Sequence, residues 1–241
     1  MNFFFDALAW IFSPDRLGGS NAIPMRLAEH LYFTVISVVI AAAMAIPIGY
    51  LIGHTGRGRE LAVGISGAAR ALPSFGLILL LATIMGVLQV QASAIIAFVI
   101  LGIPSILAGA YSGLQAIDRR TIDAARAIGM TEWQILWKVE IPLGLPLLIG
   151  GVRNATLQVV ATVTLAAYVG LGGLGYGIIQ GLPLRRFDQM LGSAILIAVL
   201  ALVLDVLFAL IQRAVVPPGV AAGQAVSRVP GTGRLLRVPT T

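Results

Sequence analysis

Five apolar runs constrain this chain more than any other feature: Leu31–Ile52, Leu61–Val87, Ala92–Ile117, Leu143–Val169 and Met190–Ile211. Each reaches the roughly 20 residues that a helix needs to cross a bilayer. Lipid offers no partner to a bare N–H or C=O, so such runs must close their own hydrogen bonds as helices. The fold class that follows is all-α, a polytopic membrane protein of about five transmembrane helices. Composition agrees, with 58% hydrophobic and 11% charged residues, where a soluble domain carries about a quarter charged.

The same inventory argues against an enzyme. The chain has no cysteine, and its histidines, His30 and His54, form no HExxH pattern. No GxSxG, P-loop or paired carboxylates occur, and no metal or cofactor is implied. Gly170-Leu-Gly172-Gly-Leu-Gly175 matches GxGxxG in letters. A dinucleotide fingerprint needs a strand before it and a helix after it in a soluble unit, whereas an apolar span precedes this one. Its expected use is a tight turn that lets helices approach.

The organisation expected is an N-terminal segment over 1–27, a transmembrane domain over 28–216 and a tail over 217–241. The start is unlike a signal peptide, since Asp6 stands in place of a basic residue and Ser13-Pro14-Asp15 breaks the apolar run. An interfacial helix carrying Phe3, Phe4, Phe5 and Trp10 fits better. The tail is rich in Pro, Gly and Arg without periodicity, the composition of a disordered basic segment near an anionic membrane face.

Charge sets the orientation. Arg57, Arg59, Arg119, Arg120, Arg126, Lys138, Arg213, Arg228, Arg234 and Arg237 fall on one side of the spans. Arg16, Arg26, Arg185 and Arg186 fall on the other. The positive-inside rule makes the first set cytoplasmic, with the N-terminus outside and the C-terminus in the cytoplasm of a cell-membrane protein. The segment 118–142 then lies in the cytoplasm. Within it Thr-Ile-Asp-Ala-Ala-Arg-Ala-Ile-Gly predicts a short helix with Gly129 at a left-handed C′ position. Thr131 and Gln134 predict a capping box opening a second helix over Glu132–Glu140, which Pro142 ends. Trp133, Leu136 and Trp137 share one face of it.

Polar residues within the spans call for partners. Arg70 lies about 14 Å into its run and Asp205 about 12 Å before the cytoplasmic end of the last. Their depths match, and Arg153 competes for Asp205. Asn154, Gln158 and Thr162 recur at i+4, with Arg153 and Thr156 alongside, so this stripe faces a cavity or another helix. Phe75, Tyr168 and Tyr176 are the aromatic candidates for a cation, although no aromatic cage is legible from spacing.

The cytoplasmic segment resembles the signature of permease subunits of binding-protein-dependent ABC importers, which runs EAA, three residues, Gly, nine residues, Ile-x-Leu-Pro. Asp123-Ala124-Ala125, Gly129, Val139, Ile141 and Pro142 stand at the matching positions. Asp replaces Glu, Val replaces Ile and Ile replaces Leu, each keeping charge or apolar character. The resemblance spans about Leu27 to Pro218 and is nearest the branch importing glycine betaine, choline and carnitine. The stretches ALPSFGLILLL, IPSILAGAYSGLQAID and YVGLGGLGYGIIQGL carry that likeness too.

The resemblance implies that Asp123, Ala124, Ala125, Gly129, Met130, Thr131, Trp133 and Pro142 form a coupling element seated on a separate ABC ATPase. It implies further partners: a solute-binding protein, a second permease copy or related chain, and membrane lipid, with no nucleic acid. It also puts Arg153, Asn154, Thr156, Gln158 and Thr162 on the translocation path. Methionine or oxyanion import is the alternative within the family. An ion-coupled secondary transporter is the alternative outside it, and Asp205 alone would have to serve its ion site.

Overall fold

The computed structural model describes residues 2–19 and 21–215, so the tail 217–241 lies outside the described residues. Helix α1 (Phe3–Ile11) leads through a short turn to α2 (Ile23–Thr55). Pro24 sits in the first turn of α2, where its missing N–H is not needed. Gly56 stops α2 in the left-handed region at φ +70°, its N–H bonded to Ile52 O at 2.9 Å. At 33 residues α2 is about 50 Å long, well beyond the hydrocarbon thickness of about 30 Å.

The second apolar run is not one helix. It divides into α3 (Arg59–Ala71) and α4 (Ser74–Met85), bent by 88° at the break. Pro73 is the cause: it lacks an N–H and disfavours helical backbone before it, and Leu72 is extended with ψ 129°. Among the described residues there are therefore four long apolar helices, or five spans if the bent pair counts as one. Apart from Ala62, the residues of α3 remain accessible, Arg70 among them.

Helix α5 (Val90–Gln115) runs unbroken through Pro104. It is followed by α6 (Arg119–Ala127) and α7 (Glu132–Ile135). Pro142 does not end the second helix of segment 118–142 as expected. A π-turn over Leu136–Glu140 carries α7 into α8 (Ile141–Val163), and Ile141 N–H bonds Leu136 O. That wider turn, set immediately before Pro142, accommodates a residue that cannot donate. Helix and apolar span form one rod over Glu132–Val169, finishing as 3₁₀ turns over Thr164–Val169. Helix α9 (Tyr176–Gly181) and the apolar α10 (Phe187–Val215) complete the order.

The centre is the packing of α2, α5 and α8. Lipid tails are as apolar as leucine, so helix contact in a membrane depends on close fit more than on the hydrophobic effect. Here it is achieved with glycine. A Cβ at Gly109 would stand 2.9 Å from Gly151 Cα, and one at Gly113 would stand 2.6 Å from Gly144 O. Backbone thus rests on backbone where α5 crosses α8. Ala41, Ala45, Ile106, Ala110 and Ala155 fill one buried cluster. Ile78, Phe98, Val159, Val163 and Ala166 fill another.

Helix α1 does not merely float at an interface. Its Ala7 is buried, Phe3 meets the Phe187 ring at 5.6 Å, and Trp10 covers Gly192 of α10. The rest of α10 leaves Val199, Leu202, Val203, Val206 and Leu210 exposed along its length.

Candidate functional site

The corner between α6 and α7 is built by local chemistry. Asp118 caps α6 by accepting from Arg120 N–H at 3.0 Å. At the other end Gly129 N–H bonds Arg126 O at 2.9 Å and Met130 N–H bonds Ala125 O at 3.2 Å, a complete Schellman closure. Gly129 has φ +85°, and nothing lies within 4 Å of where a Cβ would project. Backbone conformation therefore asks for glycine here, and space does not. Two residues on, Thr131 Oγ1 accepts from Gln134 N–H at 3.3 Å while Gln134 Oε1 accepts from Thr131 N–H at 3.0 Å. Both ends of the corner are closed by hydrogen bonds, which makes it stiff.

Charged groups brace it from behind. Arg126 donates to Glu132 at 2.8 and 3.1 Å and lies 3.5 Å from Asp123. Hydrogen bonding to Glu132 raises the Arg126 guanidinium above its ordinary pKa. His54, in the last turn of α2, meets Glu140 at 2.5 Å through Nδ1 and Glu132 at 3.6 Å through Nε2. A carboxylate can only accept, so the His54 proton on that bond belongs to Nδ1. Glu140 is buried, and His54 is its partner across 86 positions of sequence. Sequence reading missed this brace; both residues fall at the expected membrane boundary, the one signal that could have paired them.

The outward face of the corner is apolar. Trp133 and Trp137 pack edge to face at 5.6 Å and remain 68% and 54% exposed, with Ile128 at 80% beside the glycine. Ala125 turns inward, while Asp123, Ala124, Gly129 and Thr131 stay accessible and Pro142 is half-buried in the rod. Exposed, paired tryptophans of this kind have the chemistry that protein contact surfaces favour.

The residues proposed for the spans separate into two groups. Asp205 pairs with Arg153, Nε and Nη2 each 2.6 Å from a carboxylate oxygen, in a two-pronged bond joining α8 to α10. Arg70 is not the partner: Pro73 turns α3 away, and Arg70 has no ion pair among the described residues. Thr156 and Thr162 are buried, their hydroxyls donating to Val152 O and Gln158 O one turn back. They are spent on their own helix. Asn154 is exposed and Gln158 half-exposed, and the accessible line continues through Ala161 and Leu165 to Tyr168. Asn154, Gln158 and Ala161 share one face of α8, and Leu165 and Tyr168 extend the line into the 3₁₀ turns that follow it. Tyr168 lies 5.0 Å from Phe75 of α4, forming an aromatic pair at the end of that line. Tyr176 is not its third member, because the Arg26 guanidinium covers its ring at 4.0 Å.

The glycine-rich loop holds an anion of its own. Gly173 N–H donates to Glu29 Oε2 at 2.8 Å, and a Cβ at Gly172 would collide with that carboxylate. His30 beside it accepts from Leu174 N–H through Nδ1 at 3.3 Å and contacts Val160 O through Nε2 at 3.0 Å. The proton therefore sits on Nε2, and His30 ties α2, α8 and the loop together. Among the described residues no cluster of His, Asp and Glu has metal-binding geometry.

Comparison with known proteins bears on this arrangement. Residues 45–218 match the family described as binding-protein-dependent transport system inner membrane component. A glycine betaine/carnitine/choline transport system permease protein of Bacillus subtilis is 31% identical over 202 residues, covering 84% of this chain and 92% of that protein. A carnitine transport permease of Listeria monocytogenes is 32% identical, covering 83% and 89%. An osmoprotectant import permease of Salmonella typhimurium is 32% identical, covering 80% and 91%. Among solved structures, a chain of the inward-facing MetNI methionine ABC transporter superposes with a TM-score of 0.69 at 23% identity, over 80% of this chain and 95% of that one. That likeness is one of fold.

Proposed function

The chain belongs to the family of binding-protein-dependent transport system inner membrane components, and from that premise we propose that it imports quaternary-ammonium osmoprotectants. It is the permease subunit of an ABC importer, a multi-pass membrane protein, and its relatives are permease subunits and not catalysts. The substrate class rests on relatives that carry glycine betaine, carnitine, choline or osmoprotectants by name. A separate solute-binding protein delivers the substrate outside, and a separate ATPase hydrolyses ATP inside. The N-terminus faces out and 118–142 faces the cytoplasm, on the charge distribution of the loops.

One observation carries the mechanism. The stiff corner with its exposed Trp133 and Trp137 is continuous, through the π-turn, with the helix that bears the accessible Asn154–Gln158 face. A push on the corner moves α8 as a rod, and the His54–Glu140 bond carries α2 along with it. The ATPase is the source of that push. A second permease chain faces the α8 line across the path, and Phe75 with Tyr168 offers aromatic faces to a quaternary ammonium there. Uptake into proteoliposomes holding the permease and its ATPase tests the reading. Choline, carnitine or glycine betaine should enter only with both ATP and binding protein present. Uptake restricted to methionine, or uptake without ATP, would contradict it.

A further inference from the structure

His54 stands in the last turn of α2 with a carboxylate at each ring nitrogen. Nδ1 is 2.5 Å from Glu140 and Nε2 is 3.6 Å from Glu132. Among the described residues these are the only hydrogen bond and ion pairs between α2 and segment 118–142. Glu140 is 6% exposed, and its carboxylate has no other hydrogen-bond partner among those residues. The end of α2 is itself fixed to α5, since a Cβ at Gly53 would stand 2.9 Å from Leu114 Cβ. One imidazole thus fastens the corner to the bundle.

The strength of that fastening depends on a proton. A neutral imidazole has one N–H and a charged one has two. The neutral ring, with its proton on Nδ1, keeps the bond to Glu140 but turns a lone pair toward Glu132 and leaves the buried Glu140 without a counter-ion. The imidazolium serves both carboxylates, and a buried charge that loses its partner is costly. The other charges around the ring are few. Arg126 of α6 holds Glu132 from the far side. Arg59 of α3, with Arg119 and Asp123 of α6, lines the open cavity that His54 and Glu140 border, where α5 contributes only the neutral Leu114 and Gln115. Of these side-chain types only histidine ordinarily changes charge between about pH 5 and 8.

We propose that His54 is a positioning residue for the coupling described above, a proton-dependent clasp. Charged, it ties both α7 and the π-turn to the end of α2; neutral, it slackens. The clasp is therefore complete on the acidic side of the His54 titration and is lost as pH rises through it. The inference rests on the corner being the coupling element. On the orientation proposed above, His54 senses cytoplasmic pH.

The test is amide hydrogen exchange on the purified full-length chain in detergent, stepped from about pH 5 to 8 with intrinsic exchange rates divided out. Nitrogen-15 histidine NMR on the same samples reads the charge of each ring. The chain has only two histidines, so His54 is assigned by its loss in His54→Gln. Charge-assisted hydrogen bonds are about twice as strong as neutral ones. Exchange over residues 132–141 should therefore quicken about fivefold, equivalent to about 1 kcal/mol, as His54 loses its charge. His54→Gln should exchange fast at every pH. A wild-type rate that does not follow the titration, or the same pH dependence in His54→Gln, would overturn the clasp, and the wild type alone decides should the variant not fold. Uptake per ATP hydrolysed, measured in proteoliposomes against internal pH, should fall along the same curve. A constant ratio beside pH-dependent exchange would overturn the positioning role. No ATP-driven uptake at any pH would instead overturn the import reading on which it rests.

Discussion

Arg153 and Asp205 show what a single pair contributes and what sequence could not settle about it. Depth along the spans allowed Asp205 either Arg70 or Arg153, because depth ignores which way a helix faces around its axis. The structure gives both Asp205 oxygens to Arg153. Asp205→Asn leaves a guanidinium in an apolar setting without its counter-ion, an uncompensated charge, and should lower membrane abundance and the unfolding midpoint. Adding Arg153→Gln should recover much of that loss, whereas adding Arg70→Gln should recover none. Equal recovery by either arginine in a thermal-unfolding comparison would show that the pair is not specific. Gly129 and Thr131 were legible for the opposite reason. Their chemistry closes within a few residues, so the corner can be read from its letters.

Among elements, the α5–α8 crossing depends on the absence of side chains. Gly113→Leu would drive four carbons into the Gly144 backbone and separate the helices, at a cost of at least about 1–3 kcal/mol by analogy with overpacked cores. The same substitution at Gly64, where nothing lies within 4 Å of a Cβ, should be nearly silent. A fall in unfolding midpoint for Gly113→Leu and none for Gly64→Leu is expected; equal midpoints would mean the crossing is loose. Hydropathy alone located the four long helices, because each apolar run exceeds the crossing length. At Leu61–Val87 it locates the apolar run but not the bend at Leu72-Pro73, so the fifth span is a bent pair and not one helix. It also misjudged Pro142, since a stop signal after a polar helix reads the same whether the chain turns or a π-turn carries it through. The His54–Glu140 brace and the Glu29 cradle in Gly172–Gly173 join distant segments, and no local pattern announces them.

For the whole molecule, an apolar bundle is continuous with the corner proposed to face the cytoplasm, and that orientation can be checked independently. Cysteine at Leu88, which is 99% exposed in the short turn before α5, should react with a membrane-impermeant reagent added outside intact cells. Cysteine at Thr131 should react only after permeabilisation. Outside labelling at Thr131 would reverse the topology and remove the ATPase from the corner. The measurement closest to the central claim is recovery of the ATPase with the purified permease, wild type against Gly129→Val, normalised to membrane abundance and paired with ATP-driven uptake. Gly129 sits at φ +85° with open space around it. Valine there strains the backbone by about 1–2 kcal/mol and leaves the spans untouched. Normal abundance, reduced ATPase recovery and reduced uptake are expected for Gly129→Val. Full recovery and full uptake in that variant would contradict the central claim.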